Sequence, residues 1–381
     1  MELTRRDLLS ASALLLVRPA AAISTAGAAN AAGAAGRASA QPGPKPIVLC
    51  WNENPYGPSP AARAAISASI AAACRYPDDE NQQLVDMLAT REGVSSDRIV
   101  TGTGSGELLR ALGMLCGRQG GQIVAAQPTY SELPKYAQYT GATLKPVPVD
   151  KDLRHDLSAM HAAVSERTRA IYICNPNNPT GTTIGATAIG AFVESLPDRV
   201  TTIVDEAYLD FASGADVRSV ANLTGGGKRV VVLRTFSKIH GMAGVRCGYA
   251  IARPDVAAEI AAARMTTPNI FAVRAARASL GDQAFLSDCR TRIVASRTRI
   301  TVELSRMGLA YAQPQGNFIF FDTGLPLARF TAFMRKRNVL VGRRFPPYEN
   351  WCRITIGTEP EVAAFLEGLR AFRGRRIAGV A

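Results

Sequence analysis

Short apolar runs alternate with stretches of helical period along most of the chain. Arg98-Ile99-Val100, Val124-Ala125-Ala126, Ala170-Ile171-Tyr172-Ile173, Val200-Thr201-Thr202-Ile203-Val204 and Val230-Val231-Val232-Leu233 all read as strands. Runs that stay apolar at successive positions, rather than at every second one, belong to strands buried on both faces. Between them lie helical patterns such as Leu108, Leu109, Leu112 and Leu115. Ser59-Pro60 supplies an N-cap and a first-turn proline for another helix. This alternation predicts an α/β protein with a mainly parallel sheet in a large domain and a smaller α/β C-terminal domain. The expected boundaries are an N-terminal arm at 43–60, the large domain at 61–262 and the small domain at 263–381.

The apolar runs end in residues that carry chemistry. Val230–Leu233 leads into Arg234-Thr235-Phe236-Ser237-Lys238, with Arg246 eight residues beyond the lysine. A lysine amine forms a Schiff base with an aldehyde, and two hydroxyls with a guanidinium suit a phosphate. Read alone, the segment fits a loop lysine on a basic surface as well. Val200–Val204 ends in Asp205-Glu206-Ala207-Tyr208. A carboxylate at a buried strand end costs free energy until it is paired, and a protonated pyridine nitrogen would pair it. Ala170–Ile173 ends in Asn175-Pro176-Asn177-Asn178-Pro179-Thr180-Gly181, a turn composition that also leaves amides at the sheet's carboxyl edge. Thr101-Gly102-Thr103-Gly104-Ser105-Gly106-Glu107 opens a helix, where free backbone N–H groups attract an anion. It lacks the Gly-Lys-Ser/Thr of a nucleotide P-loop and the spacing of a dinucleotide site. Pro128-Thr129-Tyr130 places an aromatic either to stack on a flat ring or to fill a core.

Taken in order, Asn52-Glu53-Asn54-Pro55-Tyr56-Gly57-Pro58, Arg75-Tyr76-Pro77, Gly102-Thr103-Gly104-Ser105, Pro128-Thr129-Tyr130, Asn175–Gly181, Asp205–Tyr208, Ser237-Lys238 and Arg353-Ile354-Thr355-Ile356-Gly357 form a specific set. The chain resembles the fold-type I, pyridoxal-phosphate-dependent class I/II aminotransferases, and within them the histidinol-phosphate aminotransferase branch. The resemblance implies an aspartate aminotransferase-like fold and pyridoxal 5′-phosphate as cofactor. It implies that Lys238 carries the cofactor and shuttles the proton, and that Asp205 pairs the pyridine nitrogen. Asn178 and Tyr208 are implied at the ring oxygen, Tyr130 on the ring face, and Gly104, Ser105, Thr235, Ser237 and Arg246 at the phosphate. Tyr76 is implied at the phosphate of a second subunit, hence a homodimer. Arg353, with Asn317 and Tyr56, is implied at the substrate end, and the Arg343-Arg344 pair, which is not part of that pattern, is expected to add a second anionic contact through Arg344. The substrates implied are an amino donor and a 2-oxo acid acceptor. The sequence departs from that branch at Gly106, across Thr266–Phe271 and across Val339–Pro347.

The N-terminus has a different character. Thr4-Arg5-Arg6-Asp7-Leu8-Leu9, then Leu14-Leu15-Leu16-Val17 and an Ala/Gly/Ser-rich run, predict a twin-arginine export signal and flexible linker over 1–42. The expected location is therefore periplasmic or exported, with a disordered tail on a cytoplasmic protein as the alternative. The apolar stretch is too short for a stable membrane anchor. The net charge of +13 is dispersed and no nucleic-acid module accompanies it. Three histidines and seven irregularly spaced cysteines give no metal site and no disulfide framework. Three readings stand at this point: an aminotransferase, another reaction of the same cofactor (decarboxylation, elimination or oxidation), and a cofactor-binding protein without turnover. The presence of Lys238, Asp205 and Arg353 together favours catalysis.

Overall fold

A computed structural model describes residues 45–118 and 120–377, so the export signal expected over 1–42 lies outside the described residues. The strands are β1 (Ile47–Leu49), β2 (Ile99–Gly102), β3 (Gln122–Gln127), β4 (Thr143–Pro148), β5 (Thr168–Cys174), β6 (Thr201–Asp205), β7 (Val230–Thr235), β8 (Gly248–Ala252), β9 (Phe318–Asp322), β10 (Val339–Val341) and β11 (Trp351–Thr355). The helices are α1 (Pro60–Ala68), α2 (Asp78–Glu92), α3 (Ser105–Gly117), α4 (Glu132–Tyr139), α5 (Leu157–Ala162), α6 (Ala186–Ser195), α7 (Pro254–Ala263), α8 (Ile270–Gly281), α9 (Gln283–Arg306), α10 (Leu327–Arg335) and α11 (Glu359–Ile377).

A seven-stranded sheet runs in the order β2-β8-β7-β6-β5-β3-β4. It is parallel except for β8, which runs against both of its neighbours. Alternate residues of its strands feed two separate cores. Ile171, Ile173, Val204, Val230 and Val232 pack with Leu84, Leu88, Ile189, Phe192 and Ala276 of α2, α6 and α8. Ala170, Tyr172, Ile203, Val231 and Leu233 pack with Leu108, Leu112, Leu133, Val256 and Ile260 of α3, α4 and α7. Burial on both faces is why these strands read as unbroken apolar runs. α1 begins where Ser59 Oγ accepts the Ala62 N–H at 3.2 Å, with Pro60 in its first turn.

A third core forms around the antiparallel pair β9 and β11, where Phe321 and Ile354 meet Ile293, Leu304, Phe330 and Phe365 of the flanking helices. The N-terminal arm enters it through Leu49, and β1 pairs in parallel with β10. Tyr208 and Ile239, from the loops after β6 and β7, join the same core. The sheet's carboxyl edge and this third core are therefore in direct contact.

α3 and α4 approach closely at Gly113. A Cβ there would stand 2.7 Å from the Leu133 carbonyl oxygen and 3.0 Å from the Ala137 nitrogen, both backbone atoms that cannot swing aside. Helix propensity favours alanine over glycine by about 1 kcal/mol, but overpacking costs about 1–3 kcal/mol. The steric term wins. Gly113→Ala is expected to lower the urea midpoint, with a stability loss of about 1–2 kcal/mol. A midpoint at or above that of the wild type would show that the two helices part freely.

Candidate active site

The carboxyl ends of the parallel strands open into a cleft of about 360 Å³ lined by Ser105, Tyr130, Asn178, Asp205, Tyr208, Thr235, Ser237, Lys238, Arg246 and Arg353. Open α/β sheets place ligands at this edge because the loops that leave the strands converge there.

One wall is built to hold an anion. α3 starts at Ser105 with Gly104 as its N-cap and no side chain on the first-turn N–H groups. Those donors and the helix dipole face the cleft. Gly104 has φ +83°, and any side chain there would collide with the Arg246 guanidinium. Arg246 donates to Ser237 Oγ at 3.3 Å and to the Ala243 and Thr103 carbonyls at 2.8 and 3.3 Å. Thr235 Oγ1 lies 3.0 Å from Ser237 Oγ. Glu107 braces the turn from behind, accepting from Thr103 N and Oγ1 at 2.6 and 2.8 Å and from Met265 N and Thr266 N at 2.9 Å each.

Asp205 ends β6 and is buried. Tyr172 Oη donates to its Oδ2 at 3.0 Å and Ala207 N to its Oδ1 at 3.1 Å. Neither donor is a cation. Burial pushes the Asp205 carboxyl up to about 6, against the pull of those hydrogen bonds.

Lys238 follows β7, and its Nζ donates to the Asn52 carbonyl at 2.9 Å and more weakly to that of Trp51 at 3.4 Å. Burial first, and the nearby Arg353 second, bring the amine down to about 8. Asn52 is locked at φ 55°, with its N–H on Thr355 Oγ1 at 2.8 Å and its side chain on Tyr208 Oη at 3.1 Å. Arg353 enters from β11. It donates to Asn178 Oδ1 at 2.6 Å and to the Cys50 carbonyl at 2.7 Å, while its buried Nε has no partner. Asn178 in turn lies 3.4 Å from Tyr208 Oη, which links Arg353 to the phenol.

Other expected residues lie elsewhere. Tyr76 is 92% exposed in this chain and outside the cleft. Arg344 pairs with Glu349 at 3.1 Å, and its neighbour Arg343 lines the cleft instead. Tyr56 packs against the third core under the Arg292 guanidinium, 5.3 Å from its ring centroid. Asn317 is buried under the arm and donates to the Asn52 and Glu53 carbonyls at 3.1 and 3.2 Å, with its Oδ1 unpartnered. Sequence reasoning did not single out Trp51 and Glu132 in the cleft, it named Arg343 only as the partner of Arg344, and it gave no role to Asn52, Glu107 and Tyr172 behind the cleft. Glu107 alone had a readable signal, a glutamate at the third helical position after a Thr-Gly turn.

Residues 44–369 match the family described as aminotransferase class I and II. The histidinol-phosphate aminotransferase of Moorella thermoacetica is 36% identical over 328 residues, 85% of this chain and 84% of that protein. The aromatic amino acid aminotransferase of Rhodococcus jostii is 36% identical over 340 residues, 89% of this chain and 93% of its own. The crystal structure of histidinol-phosphate aminotransferase from Sinorhizobium meliloti in complex with pyridoxal-5′-phosphate superposes with a TM-score of 0.80 at 28% identity, covering 87% of this chain and 92% of that one. A cleft that pairs an anion cradle with a sealed acid and a half-buried lysine is what such a family requires, and by the extent of these matches the chain belongs to the class I and II aminotransferases.

Proposed function

We propose that the cleft uses pyridoxal 5′-phosphate to transfer an amino group between a 2-oxo acid and an amine with an anionic end, histidinol phosphate-like or aromatic. The observation that carries this reading is the presence in one cleft of Lys238, Asp205 and the cradle of Ser105, Thr235, Ser237 and Arg246. These residues fit the cofactor: the cradle holds donors for a phosphate, and the sealed Asp205 has no bonded cation of its own. When bound, the cofactor supplies an aldehyde for amines and a cationic ring that accepts an electron pair. Asp205 would hold the ring nitrogen's proton in place. Asn178 and Tyr208 would hold the ring oxygen, and Tyr130 would cover a ring face. Lys238, with its proton affinity lowered by burial, is matched to take and return a proton near neutral pH. Arg353 would hold the substrate's anionic end, and its unpartnered Nε and the nearby Arg343 leave donors for it.

The proposal extends to assembly, domains and location. The exposed Tyr76 would complete the cradle of a second subunit in a homodimer. Residues 61–262 would form the cofactor-holding domain and 263–381, with the arm, a smaller one, the third core being the centre of the latter. Residues 1–42, with Arg5-Arg6 before an apolar run, would direct export by the twin-arginine route. Among the described residues, no helix is long and apolar enough to cross a membrane.

The Asp205 charge separates stability from activity. Its folded value of about 6 lies above the ordinary unfolded value of about 3.9, so the folded chain binds this proton more tightly. Stability therefore falls as pH rises from about 4 to about 6, and the loss persists above that window. Asp205→Asn is expected to stabilise the cofactor-free chain at pH 7.5 by the order of 2 kcal/mol in urea unfolding, while turnover drops by several orders of magnitude. Near-normal turnover in this variant would remove the proposed role of Asp205.

Arg353→Ala leaves the cradle and Lys238 in place. It is expected to raise the KM for every accepted anionic donor and lower kcat/KM about 100-fold or more, with cofactor affinity little changed. Unaltered kinetics on all donors would rule out Arg353 as the anion anchor.

Cell fractionation tests location and assembly together. The wild-type enzyme should appear as a dimer in the periplasmic fraction, and Arg5→Lys with Arg6→Lys should retain it in the cytoplasm. A monomeric active enzyme defeats the shared site, and export indifferent to the arginines defeats the signal.

A further inference from the structure

Tyr172 sits in the middle of β5, fully buried among the residues that cover one face of the sheet. Its side chain ends in a hydroxyl aimed at a carboxylate: its Oη lies 3.0 Å from Asp205 Oδ2. The strand register explains the geometry. Cys174 is the residue opposite Asp205, and Tyr172 is opposite Ile203. Tyr172 therefore reaches Asp205 diagonally across two strands, a distance that a long side chain with a terminal donor can span. Phenylalanine would fill the same space and leave Oδ2 without its hydrogen bond.

We propose that Tyr172 is a positioning residue for the reaction: its hydrogen bond fixes the plane of the Asp205 carboxylate and keeps it ionised toward the cofactor's ring nitrogen. This rests on the reading that Asp205 takes that nitrogen. With Ala207 N on Oδ1 and Tyr172 Oη on Oδ2, each oxygen is held once by a neutral donor. The carboxylate cannot rotate without breaking both bonds. The remaining lone pairs border the cleft, which Asp205 lines.

The groups around Asp205 leave this bond a decisive part. Cys174 lies beside it on β5, and burial holds that thiol protonated. Tyr130, after β3, is pushed up to about 12 by burial and so stays neutral. Tyr208, three residues beyond β6, is likewise pushed up by burial. Lys238, after β7, is the cation whose charge favours the ionised Asp205, and it contributes less than the Tyr172 bond. Burial raises the proton affinity of Tyr172 itself, so its hydroxyl remains a donor throughout the working range. When Asp205 faces a pyridine nitrogen, the two groups compete for one proton. A donor on the carboxylate shifts that proton toward the ring.

The test is the protonation of the ring nitrogen in the resting holoenzyme, read by the ¹⁵N chemical shift of cofactor labelled at that nitrogen. In wild type the signal should be that of a protonated ring. In Tyr172→Phe it should move toward the unprotonated position, kcat should fall about 10–100-fold, and the KM for the amino donor should change little. A loss of packing alone would leave the ¹⁵N signal unchanged. Asp205→Ala serves as the reference. If its ring nitrogen stays protonated, the reading that Asp205 pairs the ring fails. If Asp205→Ala loses the proton while Tyr172→Phe keeps the wild-type shift, the reading stands and the role of Tyr172 is overturned.

Discussion

Asp205 places a carboxylate at the end of a central strand where water is excluded, and burial raises its proton affinity to about 6. An unpaired charge in such surroundings costs several kcal/mol in ordinary proteins, about 3–5 when a partner is missing altogether. The neighbouring residue shows the usual remedy. Glu206 points to the opposite side of the strand and is also buried, but it receives Arg234 at 3.2 Å, Ser219 at 2.7 Å and Val220 N at 2.8 Å. Consecutive acids at the end of one strand thus have opposite fates. Glu206 ties the loop after β6 to β7, while Asp205 is given two neutral donors and an open side. The central place of β6 between β5 and β7 makes this arrangement possible, because both flanking strands supply groups that reach its end.

The positive side of the cleft obeys a similar rule. Arg353 disfavours the charge of Lys238, Arg343 disfavours that of Arg353, and burial disfavours both. Neutral acceptors rather than acids meet them: the carbonyls of Cys50, Trp51 and Asn52, and the Asn178 side chain. A carboxylate in those positions would compete with the anionic substrate. A carbonyl satisfies the donors and can be exchanged for a better acceptor when one arrives.

The parts of this architecture that rest on local signals were legible in the sequence. The parallel strands announce themselves by runs such as Val230–Leu233, and Ser59-Pro60 marks the start of α1 by its capping chemistry. The residues that gather at the carboxyl edge follow from the ends of those strands. What the sequence left obscure depends on register and long-range pairing. β8 sits between β2 and β7, and nothing in Gly248–Ala252 says that it runs antiparallel. Arg343 and Arg344 are adjacent, so a shift of one residue decides which of them meets the cleft. Gly342 sets that choice by packing against the backbone of Arg353, an approach no side chain would permit. Tyr172 was read only as strand, because its partner lies 33 residues away and the diagonal that joins them exists only once β5 and β6 are paired.

The arm carries a consequence for the order in which this protein comes into being. Asn52 is held by Thr355, and Cys50 by Arg353, each across 303 residues of chain. A ribosome adds roughly 5–20 residues per second, so the segment that meets Lys238 waits about 15–60 s for the strand that fastens it. In the last part of that interval, once Lys238 and the large sheet have been made, Lys238 still lacks the fastened arm whose carbonyl it meets in the finished protein. The amine is an ordinary, charged lysine until the last strand emerges. The setting that lowers the proton affinity of Lys238 is thereby postponed until β11 is made, and a truncated chain lacking β11 would carry the lysine without Arg353 beside it.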